Sequence, residues 1–230
     1  LMLRAKAIKF NKKNPSLRDR ILTSTDTLGR IFANRILAPV VNYFNNLEFF
    51  RRILSRFLRI HIKAKLPRFT SVTAKSMATQ LNYFSNTNNR VAIYTTCYHN
   101  YNQPEVIEDL SLVLKHNKIS VEIIKNDNCC GMPKLELGDL KRVESLMKSN
   151  SKILSKYVED GYKIIAPVPS CVLMFKQELP LMFPEDEELK RIAQSIYDPF
   201  EYLFHLYKSG ELNTDFKNEY RDTKKYQVTN

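Results

Sequence analysis

The sequence predicts an α/β fold, in which a small parallel sheet with crossover helices follows an N-terminal basic helical segment. The first observation is that, from residue 91 onward, short β-branched runs alternate with amphipathic helical stretches, an order typical of parallel strands joined by crossover helices. The second is that the chain before residue 70 is rich in Lys and Arg and shows helical periodicity only. We therefore expect a basic helical linker over residues 1–80, a cysteine-bearing α/β domain over 88–212 and a tail over 213–230.

The positive charge of the chain is concentrated in its N-terminal part. Residues 1–70 carry 16 Lys and Arg against three Asp and Glu, whereas residues 71–230 carry 20 and 21. Basic charge attracts phosphate backbones as well as anionic lipids, but no nucleic-acid recognition motif accompanies it here. We therefore expect an anionic membrane surface as the partner of this segment and no nucleic acid.

The expected location follows from the hydropathy of the chain. The sequence has no run of about 18 apolar residues, the length that a transmembrane helix needs. Its first residues are too basic for a signal peptide. We expect a cytoplasmic protein, peripheral on the cytoplasmic face of the membrane, whose cysteines stay reduced.

Residues 47–60 form the clearest amphipathic helix of the basic segment. One face carries apolar side chains at helical spacing, namely Phe50, Ile53, Leu54, Phe57 and Leu58. Arg51, Arg52, Arg56 and Arg59 lie mostly off that face. Two interpretations stay open: a helix packed on the domain with its arginines in solvent, or an interfacial helix whose arginines contact an anionic membrane surface.

Three strands are predicted at residues 91–96, 119–124 and 163–168, because each is a short and nearly continuous apolar run. Amphipathic helices are predicted at 104–117 and 138–160. A helix over 185–197 follows, and then one more that Gly210 ends.

The four cysteines of the chain follow these strands. Cys97 comes after the first strand, Cys129 and Cys130 after the second, and Cys171 after the third. Because the carboxyl ends of parallel strands meet at one edge of the sheet, where α/β proteins place their sites, we expect the four thiols to converge. Cysteines in a reducing compartment are more typical of metal or catalytic sites than of disulfides.

Four converging thiols fit four interpretations. An iron–sulfur cluster is held by cysteine thiolates, and Gly131 together with nearby helix N-termini would supply N–H donors to the sulfurs. A structural zinc ion also takes four thiolates, although adjacent cysteines strain a tetrahedral site. The third interpretation is redox thiol chemistry at Cys129 or Cys130, with a pKa lowered by a helix N-terminus, and the fourth is buried structural cysteines. His99, two residues after Cys97, is a candidate for a hydrogen bond or a ligand at the same site.

The residues around these cysteines resemble a known family, the cysteine-rich CCG domain of iron–sulfur oxidoreductases. The similar runs are Tyr94–Tyr98, Cys129–Asp139 and Pro167–Glu178. This domain, with its Rossmann-like fold, occurs in one of the subunits of heterodisulfide reductase and in one of those of anaerobic glycerol-3-phosphate dehydrogenase, and the runs look most like the second. The resemblance covers residues 91–210, and residues 16–70 resemble the basic linker that precedes the domain there.

The resemblance implies a cofactor and a function. Cys97, Cys129, Cys130 and Cys171 would bind an iron–sulfur cluster of the 4Fe–4S type, with no catalytic residue besides. The chain would relay electrons from a partner dehydrogenase or ferredoxin-like subunit toward a quinone or another acceptor. A structural zinc or binding module, or a truncated remnant without redox activity, is the alternative.

Two departures from the family pattern accompany the resemblance. The family has two CCG domains, whereas this chain has one, so we expect it to be a piece of a longer protein. The family motif closes with Cys-x-x-Cys, whereas Met174 stands three residues after Cys171. One of the usual five thiolates is therefore replaced by a thioether, which leaves the cluster type an open question.

Overall fold

The computed structural model of the protein describes residues 2–215. Its centre is a parallel sheet of four strands in the order β2-β1-β3-β4. The strands are β1 (Arg90–Ile93), β2 (Ser120–Ile123), β3 (Lys163–Ile165) and β4 (Ile196–Tyr197). The predicted α/β fold with a parallel sheet and crossover helices is confirmed.

Helices make up most of the remaining described chain, and those predicted at 104–117 and 138–160 are present as α8 and α10. A 3₁₀ turn, Ala74–Met77, precedes α6, and a π-helical turn, Met174–Glu178, joins α11 to α12. The helices are α1 (Met2–Lys12), α2 (Leu17–Leu22), α3 (Thr25–Phe32), α4 (Leu37–Asn46), α5 (Glu48–Leu58), α6 (Ala78–Leu81), α7 (Cys97–Tyr101), α8 (Pro104–His116), α9 (Met132–Leu137), α10 (Leu140–Glu159), α11 (Pro169–Leu173), α12 (Leu179–Met182), α13 (Glu187–Ser195) and α14 (Pro199–Ser209).

The fourth strand corrects the prediction of one helix over 185–197. Helix α13 ends at Ser195, and the next two residues pair with Ile164 and Ile165 of β3. The side chain of Ile196 is fully buried. A β-branched residue such as Ile196 has only a slightly lower helix propensity than other residues. Its pairing with β3 is what makes it a strand residue here.

Both faces of the sheet are covered, so the strands are buried on each side. Val91 and Ile93 of β1 point into a cluster with α8 and α14, while Ala92 points into a cluster with α10 and α13. This alternation is the period of two that a strand imposes. It explains why the strands read as continuous apolar runs in the sequence.

The basic N-terminal segment lies against the α/β domain. Gly29 of α3 lies against the ring of Tyr101, so closely that a Cβ atom at position 29 would overlap that ring. Asn42 of α4 brackets Phe69, since its amide donates to the Phe69 carbonyl at 2.8 Å and its oxygen accepts from the Phe69 N–H at 2.9 Å. Most of the tail predicted at 213–230 lies outside the described residues.

Candidate metal centre

The four cysteines lie at the carboxyl ends of three neighbouring strands. Cys97 opens α7 just after β1, Cys129 and Cys130 stand between β2 and α9, and Cys171 lies in α11 after β3. Cys129, Cys130 and Cys171 are buried, whereas Cys97 is half-buried, and all four are free thiols. The four thiols therefore converge at one edge of the sheet, as the strand order predicts.

The thiols form a row rather than a ring. Cys97 Sγ lies 4.0 Å from Cys129 Sγ. The Cys130 thiol raises the pKa of Cys129, and the Cys171 thiol raises the pKa of Cys130, so the four thiols are neighbours in the order Cys97, Cys129, Cys130, Cys171. The hydroxyl of Thr25, from the N-terminal segment, lies 3.5 Å from Cys97 Sγ at one end of the row.

Two residues with unusual backbone angles flank the cysteines and set the direction of their loops. Thr96, directly before Cys97, has a φ of 61°, which is rare and strained for a β-branched residue. Gly131, directly after Cys130, has a φ of 93°, which glycine adopts readily. The backbone N–H groups of Gly131 and Met132 act to lower the pKa values of Cys129 and Cys130, the direction expected of N–H donors near the sulfurs.

The pKa values of three of these thiols are raised. Contact with the Cys129 thiol, together with burial, raises the pKa of Cys97. Contact with Cys130, together with burial, raises the pKa of Cys129 to about 12. Cys129 lowers the pKa of Cys130, but contact with Cys171 and burial outweigh this and raise that pKa well above its usual range.

These directions bear on one interpretation of the sequence. A nucleophilic redox cysteine needs a lowered pKa, so that the thiolate is populated near neutral pH. Burial and neighbouring thiols outweigh the N–H donors at Cys129 and Cys130. The raised pKa values therefore do not support a thiol activated by a helix N-terminus at either position.

Met174 lies beside the row, in the core. Its side chain is fully buried. Its terminal methyl lies 3.6 Å from the point where a Cβ of Gly131 would stand. Met174 follows Cys171 by three residues, a spacing that places two side chains on the same face of a helix. The thioether thus packs against the loop that holds Cys129 and Cys130.

A cavity of about 890 Å³ opens next to the thiols. Its wall is almost wholly apolar and comes from two parts of the chain: the N-terminal helices α2 to α5 and the cysteine loops. Phe50, Leu54 and Leu58 of α5 line it, and Cys130 and Cys171 stand in its wall. The apolar face that the sequence predicts for α5 therefore covers a cavity of the protein.

The four arginines predicted for a membrane surface do not share one environment. Arg52, Arg56 and Arg59 are exposed. Arg51 is buried, and its guanidinium donates to the carbonyls of His61, Ile62 and Ala64. The assignment of Arg51 to a membrane surface is therefore wrong, because its guanidinium is buried and hydrogen-bonded to the backbone that follows α5.

His99 is buried rather than exposed. It lies in α7, its backbone N–H donates to the Thr96 hydroxyl, and burial lowers the pKa of its ring. Its Nδ1 atom has no hydrogen-bond partner among the described residues. It does not line the cavity beside the thiols.

Three further side chains hold the cysteine loop and were missed in the sequence. Lys75, Tyr94 and Asn150 donate to the carbonyls of Asp127, Asn128 and Cys129. For Asn150 a signal existed, because it interrupts the apolar stripe of α10 formed by Val143, Leu146, Met147 and Leu154. A polar residue in such a stripe is buried and needs a partner.

Among residues 2–215, no three His, Cys, Asp or Glu side chains surround a common point as the ligands of a single metal ion do. Over the same part of the chain, no helix combines the length and the apolar character needed to cross a membrane.

Comparison with known proteins shows what the part of the chain that carries the cysteines resembles. Residues 91–176 match the family model of the cysteine-rich domain, CCG. One of the subunits of anaerobic glycerol-3-phosphate dehydrogenase from Escherichia coli (strain K12) is 28% identical over 193 residues, which cover 82% of this chain and 47% of that protein. This chain thus spans about half the length of that relative.

Two other relatives match shorter stretches. One of the subunits of fumarate reductase (CoM/CoB) from Methanothermobacter marburgensis is 30% identical over 96 residues, which cover 41% of this chain and 19% of that protein. An uncharacterized iron-sulfur protein from Methanococcus maripaludis is 37% identical over 72 residues, 31% of this chain and 15% of that protein. No solved structure gives a significant match. The part of the chain that carries the four thiols is thus similar to the cysteine-rich domain, CCG.

Proposed function

We propose that this chain is an iron–sulfur electron-transfer module of an oxidoreductase complex, with a cluster of the 4Fe–4S type held by Cys97, Cys129, Cys130 and Cys171. The observation that carries the proposal is the convergence of the four thiols at one edge of the parallel sheet, where Cys97 Sγ lies 4.0 Å from Cys129 Sγ and Cys97, Cys130 and Cys171 line one cavity. Relatives named as an iron-sulfur protein and as subunits of a dehydrogenase and a reductase support it. When bound, such a cluster accepts and releases single electrons.

The donor set suits a cluster better than a zinc ion. A cluster takes one thiolate per iron and spreads its ligands over several metal atoms. A structural zinc needs four donors around one point, and the adjacent Cys129 and Cys130 strain such a tetrahedral site. Neighbouring neutral thiols also release their protons when a metal binds, because the positive charge of the metal offsets the repulsion between the thiolates that form. Met174 adds a soft thioether at the same loop and no fifth thiolate.

The electron donor in this proposal is a partner dehydrogenase related to the glycerol-3-phosphate enzyme, either directly or through a ferredoxin-like subunit. The acceptor is a quinone. The apolar cavity supports this choice, since a flat uncharged ring with a hydrocarbon tail is favoured by walls such as Phe32, Phe50 and Phe69. A ring in the cavity would lie beside Cys130 and Cys171, within reach of the site that delivers the electron.

The proposed location is the cytoplasmic face of an anionic membrane. Helix α5 presents Phe49 and Phe57, which are 76% and 74% exposed, beside the exposed Arg52 and Arg56. Aromatic rings next to arginines are favoured at the boundary of headgroups and acyl chains. A membrane at this surface would bring a lipid-soluble quinone close to the cavity that α5 lines.

The test is anaerobic purification from cells with full cluster-assembly capacity, followed by iron and sulfide analysis and electron paramagnetic resonance. We expect iron and acid-labile sulfide in similar amounts and a paramagnetic signal in one redox state. Cys129→Ser should lose most of the iron, because Cys129 is the central link of the row, whereas Ser151→Ala, an equally buried change, should keep it. A colourless, iron-free protein would contradict the proposal, and stoichiometric zinc would favour the structural alternative.

A further inference from the structure

Asn150 is a buried polar residue that has no part in the proposed binding of the cluster. It lies in the middle of α10 and is fully buried. Its Nδ2 group donates to the Cys129 carbonyl at 3.0 Å, and its Oδ1 atom accepts from the Asn128 N–H at 2.8 Å. An unpaired buried amide is costly, so both ends of this side chain fix it to the loop.

The loop is held at three consecutive carbonyls. Lys75 Nζ donates to the Asp127 carbonyl at 2.8 Å, the Tyr94 hydroxyl donates to that of Asn128, and Asn150 donates to that of Cys129. The three donors come from three separate parts of the fold. Each carbonyl belongs to a planar peptide unit, so three successive planes are fixed in direction.

Fixed peptide planes determine the direction of the Cα–Cβ bond of Cys129, which carries the sulfur. A residue has two soft backbone angles, and both are set once the planes on its two sides are set. Those planes at Cys129 are held by Tyr94 and by Asn150. The sulfur so placed contacts Cys97 on one side and Cys130 on the other, which makes it the link between the two halves of the row.

We propose that Asn150 is a positioning residue: by bridging the backbone of Asn128 and Cys129, it aims the Cys129 sulfur at the centre of the thiol row. The effect of Asn150 on a bound cluster rests on the proposed function, since the position of the Cys129 sulfur sets the environment of that cluster. The position of the sulfur itself is a property of the protein without metal. It can therefore be tested even if the chain holds no cluster.

The metal-free test is the equilibrium of the Cys97–Cys129 disulfide with dithiothreitol. In this exchange the two protein thiols lose two electrons and two protons, and the ring disulfide of oxidised dithiothreitol opens to the dithiol. Peptide mapping by mass spectrometry measures the bridged fraction. We expect the equilibrium constant to fall about tenfold in Asn150→Ala and to stay unchanged in Ser151→Ala, whose buried hydroxyl has no partner among the described residues.

Two more variants separate the contacts. Asn150→Asp keeps the acceptor for the Asn128 N–H but places an oxygen against the Cys129 carbonyl, so it should weaken the disulfide at least as much as Asn150→Ala. Tyr94→Phe removes only a hydroxyl from a buried ring and should produce a smaller change in the same direction. If both Asn150 variants fail to fold, Tyr94→Phe still tests whether fixing the peptide planes around Cys129 affects the disulfide. Wild-type behaviour of Asn150→Asp would overturn the role of the Cys129 carbonyl contact.

The second readout uses the anaerobically purified, iron-loaded protein. Asn150→Ala should retain iron, while its paramagnetic g-values change and its one-electron reduction equilibrium shifts about tenfold, or about 59 mV. Unchanged g-values and potential, together with an unchanged disulfide constant, would overturn the proposal. If wild-type protein holds no iron but the disulfide constants differ as expected, the proposed function fails and the positioning role of Asn150 stands.

Discussion

Cys97, Cys129 and Cys130 lie next to other thiols and are largely buried, and both features raise the pKa values of these three thiols. The pKa of Cys129 is raised to about 12 by contact with Cys130 and by burial, against 9.0 for an exposed thiol. Cys97 and Cys130 also have raised pKa values, for the related reasons of thiol contact and burial. The metal-free protein therefore keeps protons that the unfolded chain gives up as the pH rises.

We expect the metal-free protein to lose stability above about pH 9. Below the unfolded pKa both states carry the proton, so the stabilisation is fully present there. Between pH 9 and 12 only the folded state keeps it, and the free energy of unfolding falls by about 1.4 kcal/mol per pH unit for each such thiol. Urea unfolding at several pH values measures this, with the variant in which all four cysteines are serine as control. Parallel pH profiles for the two proteins would show that the thiols are not the cause.

Arg51 and Arg52 are adjacent in sequence and differ in what they contact. Arg51 satisfies three carbonyls after α5, so Arg51→Ala should lower the free energy of unfolding by about 2–3 kcal/mol. Arg52 is exposed and, among the described residues, forms an ion pair with Glu48 alone, so Arg52→Ala should cost less than about 0.5 kcal/mol. Urea denaturation of the two variants measures the difference. Equal losses would mean that the carbonyl contacts of Arg51 contribute nothing.

At the scale of elements, α5 shows what a periodic pattern determines. Its apolar stripe predicted a helix and a face correctly, but periodicity does not say what covers that face. In the structure, Phe50 and Leu54 line the cavity, while Phe57, which the same stripe included, is exposed. The inner and the outer side of one helix therefore serve two different parts of the proposed function.

Substitutions on the two sides of α5 should separate these parts. Leu54→Gln places an amide in the apolar wall and should weaken the binding of a short-chain, water-soluble quinone about tenfold, with little effect on vesicle binding. Phe57→Gln should do the reverse, since its ring is outside the cavity. Quinone titration and vesicle co-sedimentation measure the two affinities. If both variants change both affinities alike, the helix does not divide its faces in this way.

The elements that were predicted correctly are those whose burial leaves a clear pattern in the sequence, such as the one-sided apolar stripes of α8 and α10. The first three strands are covered on both faces, so they read as nearly continuous apolar runs, and the strand order alone brought Cys97, Cys129, Cys130 and Cys171 to one edge. Strand β4 was missed because two residues have no period, and only pairing with β3 reveals it. The contact of Tyr94 was missed because a side chain bonded to a distant backbone carbonyl leaves no pattern in the sequence, whereas Asn150 left one signal, its place in the apolar stripe of α10, which did not name its partner.

At the scale of the whole molecule, charge is divided between the two ends of the chain. Nearly all the surplus positive charge lies in residues 1–70, which fold against the domain and build the cavity beside the thiols. A positive surface next to an apolar entrance suits an anionic membrane, where charge attracts and exposed aromatic rings insert. The attraction and the insertion differ in their response to salt, so they can be separated.

We expect the protein to co-sediment with vesicles that contain anionic lipid far more than with neutral vesicles, and to be released in part by about 0.5 M salt. At that ionic strength the screening length drops below about 5 Å, so attraction to the headgroups is lost while the contacts of Phe49 and Phe57 remain. Replacing Arg52, Arg56 and Arg59 together by Gln should reproduce the effect of salt at low ionic strength. The matched control replaces Lys141, Lys152 and Lys156 of α10, three exposed lysines on the α/β domain, and should leave binding unchanged. Equal loss of binding in both triple variants would show that net charge, rather than the surface of α5, holds the protein to the membrane.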